Sequence, residues 1–286
     1  MTPAGRLEPL SPGCPVLVRP IGLIVFLSDF GLKDPYVPLV HAVIERVSQG
    51  KVRVIDLTHE IEAFSVVNGA YMLYTSYKWF PPGTVFLGVV DPGVGTERKP
   101  VIIVTEKYFF VGPNNGLLWP AAREDGIRGV YWILRSEAFI KPVSKSFHGR
   151  DVFAPVAALL AMGVRPDAFG PRLSEAELVR VELKEGCEGG RAAVVVVHVD
   201  RFGNVALGLE ADCLKALCGS GGRVAVSSPR RRMKALCEEV FSRAEPGELV
   251  LYVNSLGFPE LAVNMGDASR ALSVKVGEKL VLEPAG

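Results

Sequence analysis

The sequence predicts an α/β domain, a mostly parallel sheet flanked by helices, followed by a smaller all-β domain. Two observations carry this expectation. Up to about residue 180, short apolar runs ending in polar tips alternate with stretches of helical period. Beyond a glycine-rich, charged stretch at Gly186 to Gly190, short strand-like runs take over.

In the first part, Ile21 to Leu27 reads as a buried strand that delivers Ser28-Asp29-Phe30-Gly31 at its carboxyl end. A helix over Tyr36 to Gln49 follows, then a strand over Val52 to Leu57 with Thr58-His59 at its tip. Ser65 to Tyr77 reads as a second helix stopped by Pro81-Pro82-Gly83, and Val85 to Val90 as a third strand that ends in Asp91-Pro92-Gly93. Val101 to Val104 and Tyr108 to Val111 form a hairpin pair, and Asp151 to Met162 a strongly apolar helix. Ligands of such sheets bind beyond the carboxyl ends of the strands, so the three polar tips belong to one candidate site. In the second part, Ala192 to Val199, Val205 to Leu209, Arg223 to Val226, Leu249 to Val253, Glu260 to Val263 and Leu272 to Val276 are expected strands of a sandwich or barrel. Arg232 to Phe241 is the expected helix there, with Arg230-Arg231-Arg232 at its start. The expected division is an amino-terminal arm over 1–20, an α/β domain over 21–185 and a β domain over 191–286.

Composition narrows the class. With 49% hydrophobic and 22% charged residues, 286 residues are enough to bury a substantial core. A net charge of +1, from 32 basic and 31 acidic side chains, argues against a nucleic-acid binder that relies on phosphate neutralisation. No apolar run is long enough to span a membrane, and the proline-rich first twenty residues do not read as a secretory signal. The cysteines Cys14, Cys187, Cys213, Cys218 and Cys237 contain no CxxC pair and are odd in number, so no disulfide framework is expected, Cys213 and Cys218 read as a helical pair of thiols, and the location reads as cytoplasmic. The histidines His41, His59, His148 and His198 stand far apart in sequence with no HxH or HExxH, so no metal is expected. Gly93-Val94-Gly95 lacks the third glycine of a dinucleotide loop, and no P-loop occurs.

Several groups carry chemistry, each beside a plainer reading. Asp29 at a strand end suits two donors such as vicinal ribose hydroxyls, but is also an ordinary turn residue. Asp91 and Arg98 flank a loop whose glycines permit close backbone approach, and can pair across it, which would equally serve only to hold the fold. His148, just before an apolar helix, would be kept neutral and basic by the positive helix end, or be a helix-end residue without chemistry. Asp200-Arg201-Phe202-Gly203-Asn204 and Asn254-Ser255-Leu256-Gly257-Phe258-Pro259-Glu260 place carboxylates, amides and aromatics at strand junctions, where hairpin turns also use them.

In order along the chain, Ser28-Asp29-Phe30-Gly31, Asp56-Leu57-Thr58-His59, Val90-Asp91-Pro92-Gly93-Val94-Gly95-Thr96, Gly112-Pro113-Asn114-Asn115-Gly116, Phe147-His148-Gly149-Arg150-Asp151 and Phe202-Gly203-Asn204 resemble the S-adenosyl-L-methionine (SAM) hydroxide adenosyltransferases, relatives of the nucleophilic SAM fluorinase and chlorinase. The resemblance runs from about Gly22 to Leu282. It implies an α/β domain joined to a smaller β-barrel, assembled as a homotrimer with SAM between domains of neighbouring subunits, and hydrolysis of SAM to adenosine and methionine with no cofactor. The family's water-activating trio falls on Asp91, Arg98 and His148. Asp29 would hold the ribose and Phe64 would wall the nucleoside, with adenine and methionine met by Asp200, Phe202, Asn204, Ser255, Glu260 and the backbone near Ala262. The halogenases carry aromatic residues at the aspartate and histidine positions and a hydroxyl beside the latter, whereas this chain has Asp91, His148 and Gly149. That departure favours water over halide. The alternatives are a SAM-dependent halogenase, a non-catalytic SAM or adenosine binder, and a metal-dependent hydrolase built on Asp29, His59 and Asp91.

Overall fold

A computed structural model describes residues 18–219 and 222–285. The chain divides between Val181 and Glu182 into two compact units. In the first, β1 (Leu23–Ser28), α1 (Tyr36–Ser48), β2 (Arg53–Thr58), α2 (Val66–Ser76), β3 (Val85–Val89), β4 (Pro100–Thr105), β5 (Phe109–Pro113), α3 (Trp119–Glu124), β6 (Ile127–Trp132), α4 (Ala154–Ala161) and β7 (Arg172–Leu173) build a seven-stranded sheet in the order β2-β1-β3-β5-β4-β6-β7. Strands β2, β1, β3 and β5 pair in parallel, and β4, β6 and β7 continue the sheet by antiparallel pairings. Strand β6 therefore runs with the parallel block, and only β4 and β7 oppose it.

The central strands are apolar without interruption because both faces of the sheet are covered. Ile24, Phe26, Val85, Leu87 and Val89 join one buried cluster with α1 and α4. Their chain neighbours Val25, Leu27, Phe86 and Val90 join the other with Leu73 of α2 and Ala121 of α3. Strand geometry sends successive side chains to opposite faces, so one apolar run supplies both layers. The pairing of Ser28 with Val89 brings the β1 and β3 tips side by side, with Asp29 and Asp91 just beyond.

The second unit contains β8 (Ala192–Val199), β9 (Val205–Leu207), α5 (Cys213–Cys218), β10 (Arg223–Ser227), β11 (Arg232–Cys237), β12 (Leu249–Val253), β13 (Pro259–Val263), α6 (Ala268–Leu272) and β14 (Lys279–Pro284). Its strands close a barrel in the order β10-β11-β12-β13-β9-β8-β14. The choice between sandwich and barrel thus falls on the barrel.

Three local expectations are corrected here. Arg232 to Phe241 is not a helix but begins with β11, paired antiparallel with β10. Arg230 and Arg231 lie in the hairpin turn before it, where their N–H groups donate to Ser228 Oγ at 3.2 and 2.9 Å. Met233, Leu236 and Cys237 fit a helical face as well as a strand, and pairing with β10 decides between them. Leu272 to Val276 is not a strand: α6 ends there, started by Asp267, whose carboxylate accepts from the Arg270 N–H at 2.9 Å. The strand that closes the barrel is β14, paired with both β10 and β8.

The third correction concerns cysteine. Cys187 is bonded to Cys213 and Cys218 to Cys237, with Cα–Cα separations of 5.8 and 6.0 Å. Cys213 and Cys218 do lie on one helix, but each is tied to a different partner. The bridges remove the cysteine argument for a cytoplasmic location. Cys14 and most of the expected arm over 1–20 lie outside the described residues; Val18 is buried. No described helix is long and apolar enough to cross a membrane. Peptide mapping without reductant is expected to recover the Cys187–Cys213 and Cys218–Cys237 links and no Cys213–Cys218 link. Reduction is expected to lower stability by about 2–4 kcal/mol per bridge, read by denaturant melts with and without dithiothreitol.

Candidate active site

The site of the first unit stands on loops beyond the parallel strands. Asp91 follows β3, and the turn after it is closed by Val94 and Thr96, whose N–H groups donate to the carbonyls of Asp91 and Gly93 at 3.1 Å each. Gly95 sits at φ +78, and a Cβ there would stand 2.5 Å from the Lys145 carbonyl oxygen. Only glycine lets this loop lie so close to the segment that leads to His148. From the other side, Asn115 Nδ2 donates to the Val90 carbonyl at 2.7 Å and holds the end of β3.

This loop returns Arg98 to Asp91. Arg98 Nε donates to Asp91 Oδ1 and Oδ2 at 2.9 and 3.0 Å, and Nη2 makes a short contact with Oδ2. Both side chains are nearly out of water, at 10% exposed for Arg98 and 6% for Asp91. A buried pair survives only when well aligned and further hydrogen-bonded, and the two-pronged contact meets that condition. Phe153 supports the guanidinium from 5.1 Å.

Arg98 Nη2 also lies 2.9 Å from His148 Nδ1. A guanidinium has no acceptor, so Nδ1 must accept, and the imidazole is neutral with its proton on Nε2. The direction of the His148 pKa agrees: burial and then the Arg98 charge push it below its ordinary value, against an opposing pull from Asp91 and Asp151. The structure differs from the expected neutral and basic imidazole in one respect. Because Arg98 occupies the Nδ1 lone pair, His148 presents a donor at Nε2 and Asp91 is the acceptor of the trio.

Three positions after His148, Asp151 is fully buried. Although burial opposes ionisation, hydrogen bonds from the Arg150 side chain and the Ser144 N–H hold its carboxyl below the usual range. Ile140 N–H donates to the Asp151 carbonyl at 2.9 Å, so both strands of the preceding loop hang on one residue. The helix opens as a single π turn over Gly149–Phe153 before α4. A Cβ on Gly149 would meet Phe30 at 3.1 Å and Val89 at 3.3 Å, so the β1 tip packs directly beside His148.

Asp29 takes the same edge. Its Oδ2 accepts from the Phe64 N–H at 2.9 Å. Burial, and secondarily the Asp91 carboxylate, raises its pKa, while the Phe64 N–H works the other way. Phe64 itself has φ +65, unusual for an aromatic residue, and the residue is 72% exposed. The sheet therefore brings together Asp29, Phe64, Asp91, Arg98 and His148 at one edge.

Candidate residues of the second unit fall in two turns. Asp200 Oδ1 accepts from the N–H groups of Phe202 and Asn204 at 2.9 and 2.8 Å, and Oδ2 accepts from Asn204 Nδ2 at 2.9 Å. The carboxylate organises the turn between β8 and β9, and Phe202 projects from it at 76% exposure. Glu260 is buried on β13, bonded to the Tyr252 hydroxyl and, at 2.8 Å, to Asn254 Nδ2. Asn254 in turn holds the exposed loop of Ser255 through the Leu256 and Phe258 N–H groups. Leu261 pairs with Val205, which sets buried Ala262 and Asn204 at neighbouring positions of the β13 and β9 ladder.

The metal-hydrolase alternative required His59 beside Asp29 and Asp91. His59 instead groups with His41 and Asp56, a cluster that sequence spacing concealed.

Family models of the SAM hydroxide adenosyltransferase N-terminal and C-terminal domains match residues 24–170 and 194–281. The chain belongs to the SAM hydroxide adenosyltransferase family. Among relatives in it, a protein of Thermus thermophilus named (R)-S-adenosyl-L-methionine hydrolase is 38% identical over 263 residues, covering 89% of this chain and 96% of its own. One of Salinispora tropica with the same name is 37% identical, covering 92% and 98%. A fluorinase of Actinopolyspora mzabensis is more distant, at 26% over 91% of this chain and 95% of its own. The crystal structure of an uncharacterized conserved protein from Thermotoga maritima matches with TM-score 0.81 at 40% identity, over 91% of this chain and 99% of that one.

His148 is expected to titrate below the ordinary 6.5 of a histidine, and Arg98→Met to move that titration upward, both read by side-chain NMR. Since folding disfavours the imidazolium, stability is expected to fall as pH drops below about 6.5. A native His148 titrating at or above the ordinary value would contradict the assigned tautomer.

Proposed function

We propose that this chain hydrolyses SAM at the ribose C5′ carbon, giving adenosine and L-methionine. The observation that carries the reading is the buried contact in which one guanidinium holds both a carboxylate and the Nδ1 of a neutral imidazole. It leaves an anionic acceptor and an N–H donor at the strand edge, a combination suited to a water molecule. The hydrolase names of relatives at 37–38% identity support the same reading, and the lower identity of the fluorinase ranks halide transfer second.

In the proposed reaction the water oxygen bonds to C5′ as the C5′–S bond breaks, and its electron pair passes to sulfur. The leaving group is a neutral thioether, so the sulfonium already supplies the driving force that a Lewis acid would otherwise provide. Water, with a pKa near 15.7, is the weak partner. Asp91 accepts its proton as attack proceeds, Arg98 fixes the carboxylate, and His148 Nε2–H donates to the oxygen. Asp29 holds the ribose hydroxyls, and Phe64 faces the nucleoside. On the second unit, Phe202 stacks on the purine, Asp200, Asn204, Ser255 and Glu260 place polar groups around adenine and methionine, and Ala262 offers backbone. The proposal includes metal-independent chemistry, a homotrimer and a cytoplasmic setting, where SAM is a common metabolite.

Incubation with the (R) and (S) sulfonium forms of SAM, followed by chromatography, is expected to yield adenosine and methionine in equal amounts. Chelator is expected to leave the rate unchanged, and added chloride or fluoride to yield no halogenated nucleoside. Asp91→Asn or His148→Ala is expected to lower kcat by about 10²–10⁴ with little change in SAM binding. Stable bound SAM with no methionine released over hours would instead favour a binding protein.

A further inference from the structure

The fold brings together three ligating groups that neither the reaction nor the sequence motifs use as such. His41 on α1, Asp56 on β2 and His59 just after β2 place their ligand atoms within 4.8 Å of one another. His41 Nε2 is 2.8 Å from Asp56 Oδ1, and His59 Nε2 is 3.0 Å from the same oxygen. The His59 side chain is 2% exposed, yet its Nε2 has no aligned hydrogen-bond partner. A buried ring nitrogen left in this state is costly.

The other ring nitrogen is held in place. His59 Nδ1 is 2.8 Å from Ser28 Oγ, and that oxygen also receives the Phe30 N–H at 3.4 Å. In the tautomer that donates from Nδ1 to Ser28 Oγ, His59 keeps a bare Nε2 beside the Asp56 carboxylate. In that form two acceptors stand 3.0 Å apart, an arrangement that a cation between them relieves. A histidine whose far nitrogen is pinned by a hydrogen bond is also the usual arrangement of a metal ligand.

The geometry points to a divalent transition-metal site, of the class zinc occupies, with His41 Nε2, His59 Nε2 and Asp56 as its ligands. Tetrahedral arms of 2.0–2.1 Å put neighbouring ligand atoms about 3.3 Å apart, so the 2.8 and 3.0 Å contacts need to open by only a few tenths of an ångström. Two imidazoles and one carboxylate favour a borderline ion over magnesium or calcium. His41 and Asp56 are 35% and 42% exposed, which leaves a fourth position facing solvent and an entry path. The ion would tie α1 to the carboxyl end of β2. Through Ser28, and through the His59 carbonyl that accepts from the Gly31 N–H at 2.7 Å, it would brace the turn that carries Asp29. It is a brace beside the proposed reaction and takes no part in it.

The untagged full chain, stripped with chelator and titrated with Co(II), is expected to bind one equivalent with the visible absorption of a nitrogen and oxygen site. It is also expected to melt at higher temperature with the ion present. His41→Ala and Asp56→Asn, both at the surface and so tolerated by the fold, are each expected to abolish stoichiometric binding and the thermal shift. Ser28→Ala should weaken binding by about 10–100-fold, and His198→Ala should leave it unchanged. No Co(II) absorption in the native chain, or binding that survives His41→Ala and Asp56→Asn, would overturn the site.

Discussion

A guanidinium buried between a carboxylate and an imidazole constrains everything around it. Arg98 can be desolvated only because Asp91 meets it with both oxygens, and Asp91 can be desolvated only because Arg98 answers it. The third contact, to His148, then follows a simple rule: a group with donors alone forces its neighbour to accept. One arginine thereby holds one carboxylate in place and sets the tautomer of an imidazole. Removing either partner would leave an ion without water and without a counterion, so the trio stands as a unit.

The sheet exists in a form that makes this contact available. Parallel pairing of β1 with β2 and β3 places successive polar tips at one edge, and the covered faces supply the apolar surroundings. Asp29 and Asp91 therefore share an electrostatic environment although 62 positions of sequence, counted from 29 to 91, separate them. The loop with Gly95 and the segment around Lys145 come within a distance that no side chain would permit. Close backbone approach and the Arg98–His148 contact join the Asp91 loop to the His148 loop.

The second unit follows a different logic. Its carboxylates are engaged within their own turns, Asp200 with the backbone of the β8–β9 connection and Glu260 with Tyr252 and Asn254. Phe202 projects from the first of these turns, and the loop of Ser255 lies exposed at the second. The first unit, by contrast, concentrates charge at its strand edge.

Local sequence decided where most elements lie. Apolar runs named the buried strands, glycine and proline named the turns, and the motif from Asp91 to Arg98 named a carboxylate and a guanidinium within reach of one another. Those signals are local because strand period, turn conformation and short loops are local properties. Tertiary structure alone decided the rest. Arg232 to Cys237 is a strand because β10 lies beside it, and Lys279 to Pro284 matters because it closes a barrel between β10 and β8. Cys187 and Cys213, or His41 and His59, meet through separations that no spacing rule reads. The tautomer of His148 likewise depends on an arginine fifty residues away. Contacts of this kind are made by folding the chain back on itself, and only the folded chain holds that information.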